Sequence, residues 1–481
     1  MKLLITGTLL LCLPLMAFAQ EAGSGSQRAT TSASNDNQQP QSTPQKKEAQ
    51  RKLFPYEYKI DDLPNGLRLV TIPTDYPNLV ALYIVVSTGS RNEVEPGKSG
   101  YAHLFEHLMF RGSENYTSDQ RDEILKRAGA SSNAYTTDDR TVYHEVFSKE
   151  DLDQVMKLEG DRFQHLKYEE AAFKTETRAV LGEYNKNSAN PFSKLYEKLR
   201  ETAFGTHTYT HTTMGFIKDI EDMPNQYNYS MEFYKRYYRP EYTTIVLVGD
   251  VTHQQALDLA RKYFGAWQRG NYVPQIPKEP EQTAPRTAHV DWTSPTLPYL
   301  VVGFRGPAFS DTQKDKAALN LLAQVAFGEN SELYQKLVLK EQKVDFVATN
   351  FDDQIDPELF SIFSRIKEQK DVDYVRDQIL ATFEQYKKDL IPQAKLDATR
   401  SRMRYGFALS FNSSEAIADN LAPYIALRRT PETINTLFAL YDTITPEDIR
   451  AAAQKYFVEK NRTIVTLSTK ADTTASKGGE E

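Results

Sequence analysis

Apolar positions recur along the chain in two rhythms. Short β-branched and aromatic runs bounded by turn residues predict strands, and longer stretches with apolar residues three and four apart predict helices. The first strand, Leu67 to Ile72, follows the turn signal Pro64-Asn65-Gly66, and a second, Val80 to Val86, runs into Thr88-Gly89-Ser90-Arg91. A helix is expected from about Gly100, then helical residues Ile124 to Ala128 ended by Gly129. Ser132-Asn133-Ala134-Tyr135-Thr136 and Thr141-Val142-Tyr143 suggest a strand pair. Two long helical patterns, 148 to 166 and 169 to 187, lead to a strand from Thr243 to Asp250 and a helix from His253 to Tyr263.

Pro274, Pro277, Pro280 and Pro285 then interrupt the pattern and mark a linker. Beyond it the series restarts: a strand Tyr299 to Phe304, helices Asp315 to Phe327 and Glu332 to Gln342, a strand Leu359 to Ile366, further helices, and a last strand Arg462 to Leu467. Each half ends with a helix near a Tyr-Phe pair, Tyr263-Phe264 and Tyr456-Phe457, so the expectation is two related α+β domains. Their expected extents are 53–269 and 286–468, joined by 270–285.

The termini break the globular pattern. Residues 1–19 carry Lys2, an apolar run from Leu3 to Phe18 and the small-x-small site Ala17-Phe18-Ala19, which reads as a secretory signal peptide. No other segment is long and apolar enough to span a bilayer. The only cysteine, Cys12, lies inside that segment, so the mature chain has no thiol for a disulfide or a metal. Residues 20–52 and 469–481 are too poor in large apolar side chains to offset the entropy of ordering, and read as a disordered leader and tail. A soluble periplasmic protein is expected. The net charge of −7, without a basic stripe, argues against nucleic acid as a partner.

The chemistry is concentrated in His103-Leu104-Phe105-Glu106-His107. On a helix, histidines four apart have Cα atoms about 6 Å apart and can converge on one zinc ion. Glu106 falls on the same side, where a carboxylate can take a proton from a water whose pKa the metal lowers to about 7. This H-x-x-E-H order is the inverzincin signature. The apolar residues around it, Leu104, Phe105, Leu108, Met109 and Phe110, imply a mostly buried helix, and buried imidazoles and carboxylates need partners. The bland alternative is a surface helix with two solvated histidines.

A catalytic zinc usually has three protein ligands and an open position. His144, His165, His207, His211, His253 and His289 show no paired spacing. Better donors lie on the helix from Glu169 to Asn185, where Ala172, Glu176, Ala179 and Glu183 share one side. The two glutamates are separated by about 10 Å of helix rise, so one is a ligand at most. The other would orient a ligand histidine or be a plain helix charge.

With these residues in place, the chain resembles the M16 (pitrilysin, insulysin and mitochondrial-processing-peptidase) family of zinc metallopeptidases. The resemblance rests on His103 to His107 followed by Phe173-Lys174-Thr175-Glu176-Thr177-Arg178-Ala179-Val180-Leu181-Gly182-Glu183-Tyr184, and on Tyr238-Arg239-Pro240 before Val248-Gly249-Asp250. It covers about residues 53 to 468. It implies an α+β fold, two domains each with helices on one face of a largely antiparallel sheet, together forming half of a clam-shell. It implies Zn2+ held by His103, His107 and Glu183, Glu106 as catalytic base, and Glu176 in support. Asn133-Ala134-Tyr135-Thr136 is similar to the family's edge strand, which pairs with the substrate backbone, so Asn133, Ala134 and Tyr135 are implied substrate contacts.

One departure from the family stands out. Members carry an Arg and a Tyr seven residues apart in a later domain, where they hold the substrate carbonyl; here Val338 and Asp345 occupy those positions. Neither side chain can stabilise a developing oxyanion. The resemblance with this departure implies an exported peptidase acting on unstructured peptides, assisted by a related M16-like chain that supplies the pair, or by a second copy of itself. Two alternatives remain: a non-catalytic scaffold or peptide-binding subunit, and a small-molecule lyase of the S-ribosylhomocysteine type. Export and the lack of a mature cysteine oppose the lyase.

Overall fold

The computed structural model describes residues 52–470, so the expected signal peptide, nearly all of the leader and most of the tail lie outside the described residues. Among the described residues, eleven strands form two sheets. The first contains β1 (Lys59–Asp62), β2 (Arg68–Pro73), β3 (Leu79–Val86), β4 (Ser131–Thr136), β5 (Thr141–Ser148) and β6 (Thr243–Gly249) in the order β1-β2-β6-β3-β5-β4. The second contains β7 (Arg286–Trp292), β8 (Tyr299–Arg305), β9 (Val344–Asn350), β10 (Leu359–Ile366) and β11 (Arg462–Thr469) in the order β7-β11-β8-β10-β9. All pairings are antiparallel except β2 with β6 and β7 with β11.

Setting β1 aside, both sheets run first-fifth-second-fourth-third in chain order, with the parallel pair at the same place. Two α+β halves therefore share one topology. The Tyr-Phe pairs do not mark equivalent points in it. Tyr456-Phe457 precedes the last strand of its sheet, as Tyr237-Tyr238 does before β6, whereas Tyr263-Phe264 closes a helix that follows β6. An aromatic pair marks a buried helix end in either setting, so it does not distinguish them.

Helices of the first half cover one face of its sheet. They include α1 (Tyr101–Leu108), α2 (Ser118–Arg127), α3 (Leu152–Gln164) and α4 (Glu170–Ser188). A further helix, α5 (Pro191–Ala203), starts at the Asn190 side-chain cap with proline in its first turn. It leaves its own half and lays Leu195, Leu199 and Ala203 on Tyr299, Val301, Val465 and Leu467 of the second sheet. The helix Ser414–Arg428 does the converse, packing Ile417, Leu421 and Ile425 beside Ala81, Tyr83 and Val85 of β3. This exchange explains why β3 is apolar at every position: Leu82, Ile84 and Val86 face α1 and α3, and the intervening residues face the borrowed helix.

The expected helix Glu332 to Gln342 is one α-helical turn, Glu332–Tyr334, followed by π-helical Gln335–Lys340 and a left-handed Gln342. No helix among the described residues is long and apolar enough to cross a membrane.

Candidate metal centre

The motif helix α1 is fixed at its start by backbone chemistry. Gly100 has φ +89, and a Cβ there would come within 2.7 Å of the Met214 carbonyl oxygen, so glycine is required. The N–H groups of Gly100 and Ala102 both donate to the buried Glu93 carboxylate at 2.7 Å, satisfying donors that the first helical turn leaves free. Burial pushes the Glu93 carboxyl well above its usual range, although these two donors pull it down. Tyr101, Leu104, Phe105 and Leu108 point into the core, leaving His103, Glu106 and His107 on the side toward α4 and β4.

On α4, Phe173, Thr177, Val180 and Tyr184 anchor the helix, and Glu176 and Glu183 meet the histidines. Glu183 Oε2 is 3.5 Å from His103 Nε2 and 3.7 Å from His107 Nε2. Nδ1 of His107 lies 3.5 Å from Glu176 Oε2, and Arg111 Nη2 stands 2.7 Å from the other oxygen of that carboxylate. The imidazole of His107 is thus flanked by both glutamates, one at each nitrogen. The two imidazoles are edge-on, with ring centres 4.9 Å apart.

His103, His107 and Glu183 each offer a donor atom within 4.8 Å of the others. Ligand atoms about 2.1 Å from a tetrahedral zinc are about 3.4 Å apart. The 3.5 and 3.7 Å separations to Glu183 lie near that edge length, so the donor set fits a divalent ion. Charge points the same way: Glu106, Glu176 and Glu183 crowd two imidazoles, against Arg111 beside Glu176 and the more distant charge of Lys186 on Glu183. Burial lowers the pKa of His107, yet hydrogen bonds to Glu176 and Glu183 outweigh it and raise the ring to about 9. Burial holds His103 below its usual value, and the hydrogen bond from His107 holds Glu183 below its own.

Glu106 accepts a 2.7 Å hydrogen bond from the Thr136 hydroxyl, the last residue of β4. The sequence placed Thr136 in the edge strand but gave it no part in holding Glu106, and it gave Arg111 no role. Asn133, Ala134 and Tyr135 lie on β4, which ends the first sheet and, among the described residues, has β5 as its strand neighbour. Val338 packs half-buried against the core, and Asp345 accepts from Arg365 Nε at 2.6 Å. The other histidines are engaged elsewhere. His144 stacks on Tyr83 and burial drops it to about 4, and His207 contacts Asp356 at 3.0 Å.

Residues 68–216 match the Insulinase (Peptidase family M16) family and residues 227–403 the Peptidase M16 inactive domain. All of His103, Glu106, His107, Glu176 and Glu183 fall in the first segment. The chain is 29% identical to the zinc protease PqqE of Helicobacter pylori over 416 residues, which is 84% of this chain and 91% of that one. The crystal structure of a protease from Helicobacter pylori superposes with a TM-score of 0.80 at 28% identity, covering 86% of this chain and 99% of that one. The periplasmic protease PqqL of Escherichia coli shares the fold, with a TM-score of 0.70 at 19% identity, over 89% of this chain and 49% of that one.

Proposed function

Because the chain belongs to the M16 family of peptidases, in its half-size form, we propose that it is an exported zinc endopeptidase acting on unstructured peptides. The observation that carries this reading is the convergence of His103, His107 and Glu183 beside a Glu106 carboxylate that Thr136 holds in place. His103, His107 and Glu183 would hold the ion. Bound there, zinc supplies a Lewis acid and a water acidic near neutral pH.

Glu106 then takes the proton of the attacking water and passes it to the departing amine nitrogen. The Thr136 hydroxyl fixes one carboxylate oxygen, so the group loses little freedom in doing so. Glu176, steadied by Arg111, keeps the His107 ring oriented. An extended peptide adds to the outer edge of β4 along Asn133, Ala134 and Tyr135, with main-chain hydrogen bonds supplying affinity.

The positions that should stabilise the substrate carbonyl are filled by an apolar Val338 and an Asp345 already paired with Arg365. A second M16-like chain would supply those donors, with a second copy of this chain as the competing partner. The match to only 49% of full-length PqqL supports a half that works in a pair, and the periplasmic setting of PqqL agrees with the signal sequence at residues 1–19. The same lack of donors at Val338 and Asp345 supports the rival reading, a non-catalytic peptide-binding subunit.

Glu106→Gln separates the two. It should retain zinc and lose peptide cleavage by about 10² to 10⁴-fold. Cleavage at the parent rate would remove Glu106 from the chemistry. A parent protein that binds zinc but cleaves nothing, with or without a co-purifying chain, would favour the binding subunit.

A further inference from the structure

The turn Thr137 to Arg140 joins β4 to β5 and carries two buried aspartates that the hydrolytic scheme does not use. Asp138 accepts from Ser90 Oγ at 2.6 Å, from Arg200 Nη1 and Nη2 at 3.0 and 3.1 Å, and from Gln354 Nε2 at 3.0 Å. Asp139 accepts from the Ile355 N–H at 2.7 Å and the Tyr209 hydroxyl at 2.9 Å. Gln354 and Ile355 belong to the loop between β9 and β10, so the turn that ends the edge strand is fastened to the second half of the molecule.

Two short paths lead from this turn to the reacting centre. Asp138 lies two residues beyond Thr136, whose hydroxyl donates to Glu106. On the other side, the Arg91 N–H donates to the Asp138 carbonyl at 2.8 Å, and Glu93, two residues on, caps the start of α1. The segment has no slack: a Cβ on Gly89 would come within 2.1 Å of the Thr137 carbonyl oxygen. One buried carboxylate therefore fixes both the strand that steadies Glu106 and the segment that caps the helix carrying it.

We infer that Asp138 is a positioning residue for Glu106: by fastening the β4–β5 turn to the loop of the second sheet, it holds Thr136, and through it the Glu106 carboxylate, beside the paired histidines. The inference rests on the hydrolytic reading of Glu106 given above. A purely structural salt bridge would raise stability without touching turnover at temperatures where the protein is folded. Positioning instead predicts a loss that falls mainly on kcat, because none of the changes removes a side chain that would hold the ion or a backbone group of β4.

The test compares Asp138→Asn, Gln354→Leu and Thr136→Val, with the first two each combined with the third. The readouts are kcat and KM on an unstructured fluorogenic peptide, together with zinc content. Each single variant should lower kcat roughly tenfold or more with zinc content and KM little changed, since small displacements of a reacting group are costly. The double variants should be no slower than their slower parent, because both changes act through one hydrogen bond. Asp138→Asn leaves Arg200 buried against a neutral partner and is the variant at risk of misfolding. Gln354→Leu removes only the donor from the second sheet, so its cycle with Thr136→Val decides the question by itself. Parent-like kcat in Gln354→Leu, or losses that multiply in its double with Thr136→Val, would overturn the inference while Glu106→Gln remained inactive. A parent protein inactive on every peptide, both alone and together with any co-purifying chain, would overturn the hydrolytic reading and this inference with it.

Discussion

Arg111 Nη2 stands 2.7 Å from Glu176 Oε1, and this ion pair backs the His107 ring from the side away from Glu183. Glu176 is only 2% exposed, so its charge relies on Arg111 and the imidazole for compensation. Groups that orient a ligand histidine typically contribute 10 to 100-fold to metal affinity. Arg111→Met should weaken zinc binding by about that factor, read by competition with a calibrated chelator, while the far-ultraviolet circular dichroism stays that of the parent. Unchanged affinity would mean that Glu176 holds the ring unaided. Stripping zinc from the parent should abolish cleavage and lower the melting temperature, because a ligand that binds only the folded chain at 100 times its Kd contributes about 2.7 kcal/mol.

A pH dependence follows from Glu358, which is 4% exposed at the junction of the two halves. Burial pushes its carboxyl up to about 7, against the opposing pull of Arg200, with Asp138 and Asp352 adding to the rise. A raised folded pKa means the folded chain keeps a proton that the unfolded chain has released. The resulting stability is complete below about 4.5 and is lost as pH rises through about 7. Asp139, raised to about 6 by burial, acts with the same sign over a lower range. Glu358→Gln cannot ionise, so it should melt close to the parent at pH 5 and higher than the parent at pH 8, by an amount on the order of 2 to 3 kcal/mol. Parallel melting curves for the two proteins from pH 5 to 8 would contradict this.

The parts of the site that could be read from the sequence are those set by local geometry. His103, Glu106 and His107 depend only on helical pitch, and α1 places them on one side. Spacing alone left Glu176 and Glu183 open as the third donor, and the resemblance favoured Glu183. The structure sets one glutamate against each nitrogen of His107, an arrangement that depends on how α4 crosses α1. Thr136 has no local signature as a donor to Glu106. Arg111 had a partial one, since 103, 107 and 111 keep helical spacing, although α1 itself ends at Leu108.

Among the elements, β3 and β6 were plain because they are buried on both faces. By contrast β7 alternates exposed and half-buried residues at a sheet edge and produced no strong pattern, whereas α5 does carry an apolar stripe at helical spacing, Phe192, Leu195, Tyr196, Leu199 and Ala203, that went unassigned. The start of α5 is capped by Asn190 before Pro191, a local signal that went unused at the level of sequence. Its destination on the other half's sheet carried no such signal, because nothing within a helix says which sheet it will cover.

That exchange of helices makes a prediction about cooperativity. Leu199 of α5 is buried against the second sheet, and Leu421 of the helix Ser414–Arg428 is buried on the first, each contributed by the opposite half. Truncating either to alanine removes buried methyl groups and leaves a cavity, at a cost of about 2 to 5 kcal/mol. If each half carried its own complete core, Leu421→Ala would weaken only the half that contains it, and denaturation would separate into two steps. Here the cavity opens on the sheet of the other half, and losing either helix bares a face of strands that are apolar on both sides. Both variants should therefore shift one shared unfolding transition to lower urea, with Trp267 of the first half and Trp292 of the second reporting the same midpoint when each is left as the single tryptophan. Different midpoints for the two probes in either variant would show that the halves fold as separate units and that the exchanged helices are dispensable to the sheets they cover.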